Sequence, residues 1–185
     1  MKIRIGFGVI STFALALAFV AGSRLNLQAS VGSQDDRPLA ERVRHELVML
    51  PFYTVFDNLQ FSVNGDIVTL QGEVTRPVLK SDAESVARRI TGVGKVVNKI
   101  EVLPLSAMDD RLRIAEYRSI YSGSGPLSRY GWGPVPPIHI IVDSGRVKLE
   151  GTVDRQTDKD MATLLANQVA GVFSVENDLT VKKTG

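Results

Sequence analysis

The sequence contains no cysteine and only two histidines among its 185 residues. The lack of cysteine excludes disulfide bonds, thiolate catalysis, cysteine-ligated metals and the lipidated cysteine of a bacterial lipoprotein. The histidines, His45 and His139, lie far apart in the sequence and show no H-x-x-x-H spacing. We therefore expect no metal site and no cofactor, with both imidazoles solvated or partly covered.

Motifs of catalysis are also missing. No G-x-G-x-x-G or G-x-x-x-x-G-K-[ST] stretch follows a predicted strand, and no serine lies in a G-x-S-x-G elbow. The sequence therefore predicts a protein that is not an enzyme. A deep cleft between the two halves of the chain, lined by His139 and acidic groups, would contradict this interpretation.

The charge balance gives no sign of a nucleic-acid partner. The chain has 22 basic and 20 acidic residues. Three of the basic residues lie within residues 1–30, so 19 basic residues remain beside the 20 acidic ones. A nearly neutral protein lacks the basic footprint that nucleic-acid binding requires.

The first thirty residues have the layout of a secretory signal peptide. Lys2 and Arg4 precede an uncharged apolar run over residues 5–22, and small residues follow. Cleavage after Ser23, Ala29 or Ser30 fits this pattern, and the run is also long enough to span a bilayer as an uncleaved anchor. The leader predicts a periplasmic or secreted protein, with membrane association through this segment if it is not cleaved.

The remaining chain contains two copies of one sequence unit. A shift of 79 positions aligns residues 61–102 with 140–181 without a gap, and 14 of the 42 positions are identical. Each copy carries V-x-L-x-G-x-V, at 68–74 and 147–153, within a predicted β-hairpin. The period then changes from two to nearly four, which indicates an amphipathic helix, and a final strand follows.

These patterns predict an α+β fold of two tandem α-β-β-α-β units, over residues 37–104 and 107–183. Each unit is expected to hold a three-stranded mixed sheet packed on two helices, with its last strand parallel to its second. The open face of each sheet is expected to be wet or to form an interface. Because the linker at 104–108 is only five residues long, the units are expected to touch.

Helical periodicity predicts the first helix of each unit. In the first unit it covers residues 39–50, with Leu39, Val43, Leu47 and Leu50 in register. In the second it covers residues 109–121, with Ile114, Tyr117 and Tyr121 in register. Thr75 and Asp154 are the predicted N-caps of the second helices.

Six residues repeated between the units are expected to be structural. Gly72 and Gly151 fit a close approach of helix and strand. Gly92 and Gly171 fit the left-handed residue that ends a helix. Asn98 and Asn177 are expected to hydrogen-bond to backbone near the preceding glycine turn.

An aromatic cluster marks the candidate contact surface. Three of the four tyrosines and the only tryptophan lie between residues 117 and 132, next to a loop that is longer in the second unit. Aromatic rings and arginines together suit a membrane interface or a protein partner. The alternative is that Tyr117 and Tyr121 pack into the second core. The candidate contact residues are Arg113, Tyr117, Arg118, Tyr121, Arg129, Tyr130 and Trp132.

The duplicated hairpin, the small-residue helix and the stretches GVGKVVNKIEV and GVFSVENDLTV together resemble the BON-domain family, in its tandem periplasmic form. The resemblance covers residues 38–183. It implies a non-enzymatic envelope protein that supports envelope integrity or tolerance of osmotic stress and that binds membrane or anionic phospholipid. The alternative is a structural adaptor that docks on another envelope protein, or self-associates, through a sheet face or an edge strand.

Overall fold

The computed structural model describes residues 37–123 and 125–183. The predicted signal peptide or anchor at residues 1–30 lies outside these ranges. From Arg37 onward the chain forms one compact unit. Two repeats of the predicted kind lie within it, which confirms the α+β fold class.

The first repeat follows the predicted element order. Its elements are α1 (Leu39–Val48), β1 (Gln60–Asn64), β2 (Ile67–Gln71), β3 (Glu73–Val74), α2 (Pro77–Arg89), β4 (Lys95–Asn98) and β5 (Glu101–Val102). The sheet order is β1-β2-β4, with β1 antiparallel and β4 parallel to β2. The parallel pairing arises because α2 returns the chain to the starting end of β2. Both helices pack over a core that includes Val43, Leu70 and Ala83.

The second repeat has the same topology with one added turn. Its elements are α3 (Ala107–Tyr121), a 3-10 helix (Ser128–Trp132), β6 (Ile138–Asp143), β7 (Arg146–Val153), α4 (Gln156–Asn167), β8 (Ser174–Asn177) and β9 (Thr180–Val181). The sheet order is β6-β7-β8, and the short strand β9 pairs in parallel with the end of β7. Its core includes Ile140, Leu149 and Ala162, together with Val55 from the first repeat.

The final strand of each repeat is interrupted at an asparagine. The Asn98 side chain accepts the backbone N–H of Ile100 at 3.1 Å, and its amide donates to the Lys80 carbonyl of α2 at 2.9 Å. Asn177 makes the matching bonds to Leu179 and Lys159. The carbonyl partners thus belong to the second helix of each repeat and not to the glycine turn that the sequence suggested. These bonds tie the last strand to the helix that packs on it.

The repeated glycines occupy positive-φ positions. Gly72 has φ +109° and Gly151 has φ +121°. A Cβ on Gly72 would overlap the Asn58 carbonyl, and one on Gly151 would overlap the Pro137 carbonyl. The close approach is therefore made by the neighbouring backbone of the hairpin and not by a helix. Gly92 and Gly171 both have φ +94° but follow the helix ends by a few residues, within the turns that lead to β4 and β8.

The predicted N-caps are wrong. The residues at the N-caps of α2 and α4 are Arg76 and Arg155, and neither makes a side-chain cap hydrogen bond. Thr75 bonds instead to the Asp57 carboxylate, and Asp154 pairs with Lys182. The side-chain oxygens that would cap these helices are bonded instead to residues distant in the sequence.

The core-facing side of α3 also differs from the prediction. Ile114 and Tyr117 are exposed, whereas Leu112, Glu116 and Ile120 are buried. The buried side of this helix also includes Asp109 and Arg113, so apolar periodicity alone points to the wrong face. The Asp109 carboxylate accepts the backbone N–H groups of Ser144 and Gly145, which fastens the start of α3 to the β6–β7 turn.

Gly151→Ala should lower the free energy of unfolding by about 1–3 kcal/mol or more, because the new Cβ meets a backbone oxygen at a positive φ. The matched control is Gly65→Asn. Gly65 also has a positive φ, +61°, but nothing lies within 4 Å of its Cβ position, and asparagine tolerates this conformation. Thermal melting should show a clear loss for Gly151→Ala and little change for the control. Equal melting temperatures for Gly151→Ala and the parent would contradict the clash.

Candidate functional site

A stretch between α1 and β1 joins the two repeats; we call residues 50–58 the connecting segment. The Val55 carbonyl accepts the N–H of Ile140, in the edge strand β6, at 2.8 Å. Val55 is buried in the second core and Phe56 packs against it. The Phe56 ring meets Tyr117 edge to face, with centroids 6.2 Å apart. The segment therefore completes the core and the sheet edge of the second repeat.

Asp57 holds the connecting segment in place. Its side chain is fully buried. One carboxylate oxygen accepts the N–H and hydroxyl of Thr54, at 3.0 and 2.7 Å, and the other accepts the same two groups of Thr75, at 2.7 and 2.8 Å. Because a buried carboxylate is stable only when donors surround it, these four bonds fix the path of the segment.

A polar contact joins the repeats on the open face of the second sheet. Glu150 accepts hydrogen bonds from the side-chain amides of Asn58 and Gln60. Lys148 lies 2.6 Å from both Glu150 and Glu73. Burial by itself lowers the pKa of Lys148, but the hydrogen bonds to Glu150 and Glu73 outweigh it and raise that pKa. The open face of the second sheet is thus an interface at this position.

A cleft of about 920 Å³ lies beside this contact, where the sequence predicted no catalytic hollow. Its walls include His139, Glu150 and Asp178. His139 stacks against Tyr53, with ring centroids 5.7 Å apart, and burial lowers its pKa, which keeps the imidazole neutral at pH 7. Glu150 is already held by three donors from neighbouring side chains.

The hydrogen-bond partners of His139 bear on the chemistry that this cleft could support. No carboxylate bonds to His139, and its Nδ1 atom is buried without a partner. A general base needs an orienting partner and a nucleophile within reach. His139 has backbone partners at Asp57 and Thr54, and no nucleophilic side chain of the described residues is bonded to it. Across residues 37–123 and 125–183, no cluster of histidine and acidic side chains could hold a metal ion.

Three of the candidate contact residues are buried and cannot form a contact surface. The Tyr121 hydroxyl donates to the Ile138 carbonyl at 2.6 Å, and the Tyr130 hydroxyl lies 2.8 Å from Asp158. Arg113 donates to the Val142 carbonyl at 2.6 Å. These side chains have core-facing positions and hydrogen-bond inside the protein, although the buried Nε atom of Arg113 has no partner among the described residues.

The other four candidates reach the surface. Trp132 is 89% exposed, and Arg118 and Arg129 are also exposed. Tyr117 is 38% exposed, with one side of its ring against Phe56 and Tyr121. Arg129 pairs with Asp158 and stacks over Tyr130, 4.7 Å from the ring centroid. These contacts therefore hold the turn that carries Trp132 against the second repeat.

Glu116 is a buried acid that sequence reasoning missed. It is 0% exposed, and neither carboxylate oxygen has a hydrogen-bond partner. Burial raises its pKa from 4.5 to about 8. A signal was present, because Leu112, Glu116 and Ile120 repeat the spacing of Leu39, Val43 and Leu47 in the first repeat. The acid thus occupies the place of a core valine.

Comparison with known proteins agrees with this architecture. The model of the family described as "BON domain" matches residues 35–104 and 127–183, which is more than half of the chain. The chain therefore belongs to the BON-domain family. It is 31% identical over 163 residues to "Osmotically-inducible protein Y" of Escherichia coli (strain K12), which covers 80% of this chain and 73% of that protein.

Two solved structures of a type III secretion protein also match. One, "CdsD - The structural protein of the Type III secretion system of Chlamydia trachomatis: C-terminal domain", is 14% identical, covers 80% of this chain and 100% of that chain, and has a TM-score of 0.29. A second structure of CdsD is 13% identical over 79% of this chain and 93% of that chain, with a TM-score of 0.28. Neither likeness supports an argument about this protein at such scores.

Asp57→Ala should lower the free energy of unfolding by roughly 3 kcal/mol or more, because four donors lose their acceptor inside the protein. Hydrogen exchange at the Ile140 amide should also become faster, since the bond to Val55 depends on the path of the segment. Asp178→Ala is the control, as that carboxylate lines the same cleft but is exposed. Unchanged Ile140 exchange in Asp57→Ala would show that the segment does not depend on the carboxylate.

Glu116→Val should stabilise the protein by a few kcal/mol at pH 8. The folded pKa, about 8, lies above the unfolded value of 4.5, so the parent loses stability as the pH rises from 4.5 to 8. The valine variant lacks this loss. The difference in the free energy of unfolding between the variant and the parent should therefore shrink as the pH falls towards 4.5. Urea unfolding from pH 4.5 to 8.5 measures the free energy of unfolding of both proteins. A difference between them that does not change with pH would contradict the raised pKa.

Proposed function

We propose that this protein is a non-enzymatic component of the bacterial envelope that binds anionic phospholipid surfaces and supports envelope integrity under osmotic stress. Membership of the BON-domain family and similarity to osmotically-inducible protein Y support the envelope and osmotic role. The leader-like residues 1–30 support export to the periplasm. No helix within residues 37–123 and 125–183 is long and apolar enough to cross a membrane.

The observation that carries the lipid proposal is Trp132, exposed at the end of an anchored turn. Its neighbour Tyr130 is buried, bonds to Asp158 and accepts the Asp154 N–H at 2.8 Å, which holds the turn against the second repeat. The tryptophan is thus displayed by an ordered turn. Indole rings favour the headgroup level of a bilayer, where both their apolar and polar parts are satisfied.

Two exposed basic side chains of the second repeat suit an anionic surface. Arg118 is exposed on α3 and makes no ion pair with another described residue. Arg129 is exposed in part and shares its charge with Asp158. An unpaired arginine near an anionic leaflet contributes about 1 kcal/mol, and the attraction weakens with salt.

A second function, as a structural adaptor, is favoured by a different observation. The open face of the second sheet is already in contact with the first repeat through Glu150 and Lys148. The outer edge of β1 borders the cleft between the repeats. If the protein docks on another envelope protein, this edge strand is the better candidate.

Trp132→Ala should reduce partitioning onto phosphatidylglycerol-containing vesicles roughly tenfold, since burial of one large side chain contributes about 1.5–3 kcal/mol. Flotation with and without salt measures the effect. Phe173→Ala is the matched control, because Phe173 is 78% exposed but lies against the β6–β7 turn near Gly145. Loss of binding in Phe173→Ala with full binding in Trp132→Ala would refute this contact surface. Absence of binding to any vesicle would refute the lipid proposal itself.

A further inference from the structure

The two repeats treat the outer edge of their first strand differently. In β6 the backbone groups that point away from β7 belong to alternate residues: Ile138, Ile140 and Val142. Each is engaged by a group from outside the sheet. The Tyr121 hydroxyl donates to the first carbonyl, the Val55 carbonyl accepts the second N–H, and Arg113 donates to the third carbonyl. The edge of the second repeat is therefore closed.

The corresponding edge in the first repeat is open at Phe61 and Val63. The 79-residue shift places Leu59, Phe61 and Val63 opposite those three residues, and alternation in the antiparallel pair β1–β2 turns their backbone groups outward. Within residues 37–123 and 125–183, no hydrogen bond from another element reaches the outward groups of Phe61 and Val63, whereas the Leu59 backbone is bonded to the Tyr53 side chain. An unpaired edge of this kind is a template for another strand.

The reason lies in α1. When α1 and α3 are aligned so that Leu39 matches Leu112, Ala40 corresponds to Arg113 and Val48 corresponds to Tyr121. Neither alanine nor valine can donate a side-chain hydrogen bond to a carbonyl. Val48 is 50% exposed and lines the cleft, next to Leu59 and Phe61. The first repeat thus lacks both side chains that close the edge of the second.

Side-chain burial shows the same contrast. The three outward-edge residues of β6 are completely buried. Leu59, Phe61 and Val63 pack on the first core but stay partly exposed. An added strand would cover their remaining apolar surface together with that of Val48. Burial of such apolar surface favours association.

The cleft limits what can lie there. One wall is the edge of β1 with Arg44 and Val48, and the facing wall includes Pro137, Thr152 and Thr180 of the second repeat. A paired strand lies about 4.8 Å from its neighbour, so a single extended chain suits this space. Arg44 makes no ion pair with another described residue and can receive an acidic side chain.

We propose that the outer edge of β1 is a docking site for an extended polypeptide segment of another protein. The segment would pair with Phe61 and Val63, place apolar side chains at alternate positions against Val48, and bring an acidic residue to Arg44. The connecting segment shows the same mode of edge pairing on the second repeat, where Val55 of the chain itself pairs with Ile140. This site rests on the adaptor function proposed above and is independent of lipid binding.

The test is selection of a displayed random decapeptide library on the immobilised mature chain. Synthetic copies of the enriched peptides should carry alternate apolar residues and an acidic residue. They should shift the amide resonances of Phe61 and Val63 and slow their hydrogen exchange. The double variant Ala40→Arg/Val48→Tyr, which imports the closing side chains of the second repeat, should weaken binding at least tenfold while keeping lipid flotation unchanged.

The matched control is Val78→Tyr/Ser85→Arg, the same side chains on exposed positions of α2, which should bind like the parent. If the double variant does not fold, Val63→Pro replaces it. Its N–H points outward, so proline removes an edge donor and keeps the β1–β2 ladder.

Three results would overturn the proposal. One is enrichment no greater than on an unrelated immobilised protein. Another is binding that leaves the Phe61 and Val63 amides unperturbed, which would move the adaptor site elsewhere without removing the adaptor function. The third is a concentration-dependent dimer, seen by sedimentation, that the double variant abolishes, because the edge would then belong to a second copy of the chain.

Discussion

The buried carboxylate of Asp57 is the constraint on which the arrangement of the two repeats depends. Its four hydrogen bonds bring Thr54 and Thr75 together and so set the path of the connecting segment. That path carries Val55 and Phe56 into the core of the second repeat. Release of the segment would leave four donors without an acceptor and would expose apolar side chains. The two repeats therefore form one compact unit, although each has its own sheet and core. A module that would otherwise be a marginal small domain gains stability from its neighbour.

Duplication of a fold unit does not preserve its surface. The hairpins of the two repeats share their register and a positive-φ glycine, yet the outer edge of β6 is engaged at three residues and that of β1 is open at Phe61 and Val63. The difference comes from two positions of one helix, where the second repeat has Arg113 and Tyr121 and the first has Ala40 and Val48. Interface formation accounts for the engaged edge of β6, since the connecting segment pairs with that strand through Val55. The same pair of helices differs again at Val43 and Glu116, which places a buried acid in one core only.

The fold was predictable from the sequence because its signals are local and occur twice. Alternation around V-x-L-x-G-x-V, the turns at Gly65 and Gly145 and the change of period at α2 and α4 depend on near neighbours in the chain. The buried face of α3 was not predictable, since Asp109 and Arg113 there find partners only in β6 and the turn that follows it. Nor could composition separate Tyr130 from Trp132. Two residues apart on one turn, the first packs inside because Asp158 can receive its hydroxyl, and the second has no such partner in the described structure. Contacts distant in sequence, such as Asp57 with Thr75, leave no periodic trace.

Departures from ordinary packing are concentrated in α3 and the turn that follows it. Glu116 is a carboxyl without a partner in an apolar core, and Trp132 is a large aromatic side chain held in water. Each opposes stability, and the first repeat shows neither: Val43 takes the place of the acid, and the longer loop is absent. Residues that violate local rules inside an otherwise consistent fold mark the places where function constrains sequence. The turn proposed for lipid contact lies in the second repeat, and the strand edge proposed for a protein partner lies in the first, so the two proposals use different halves of the duplication.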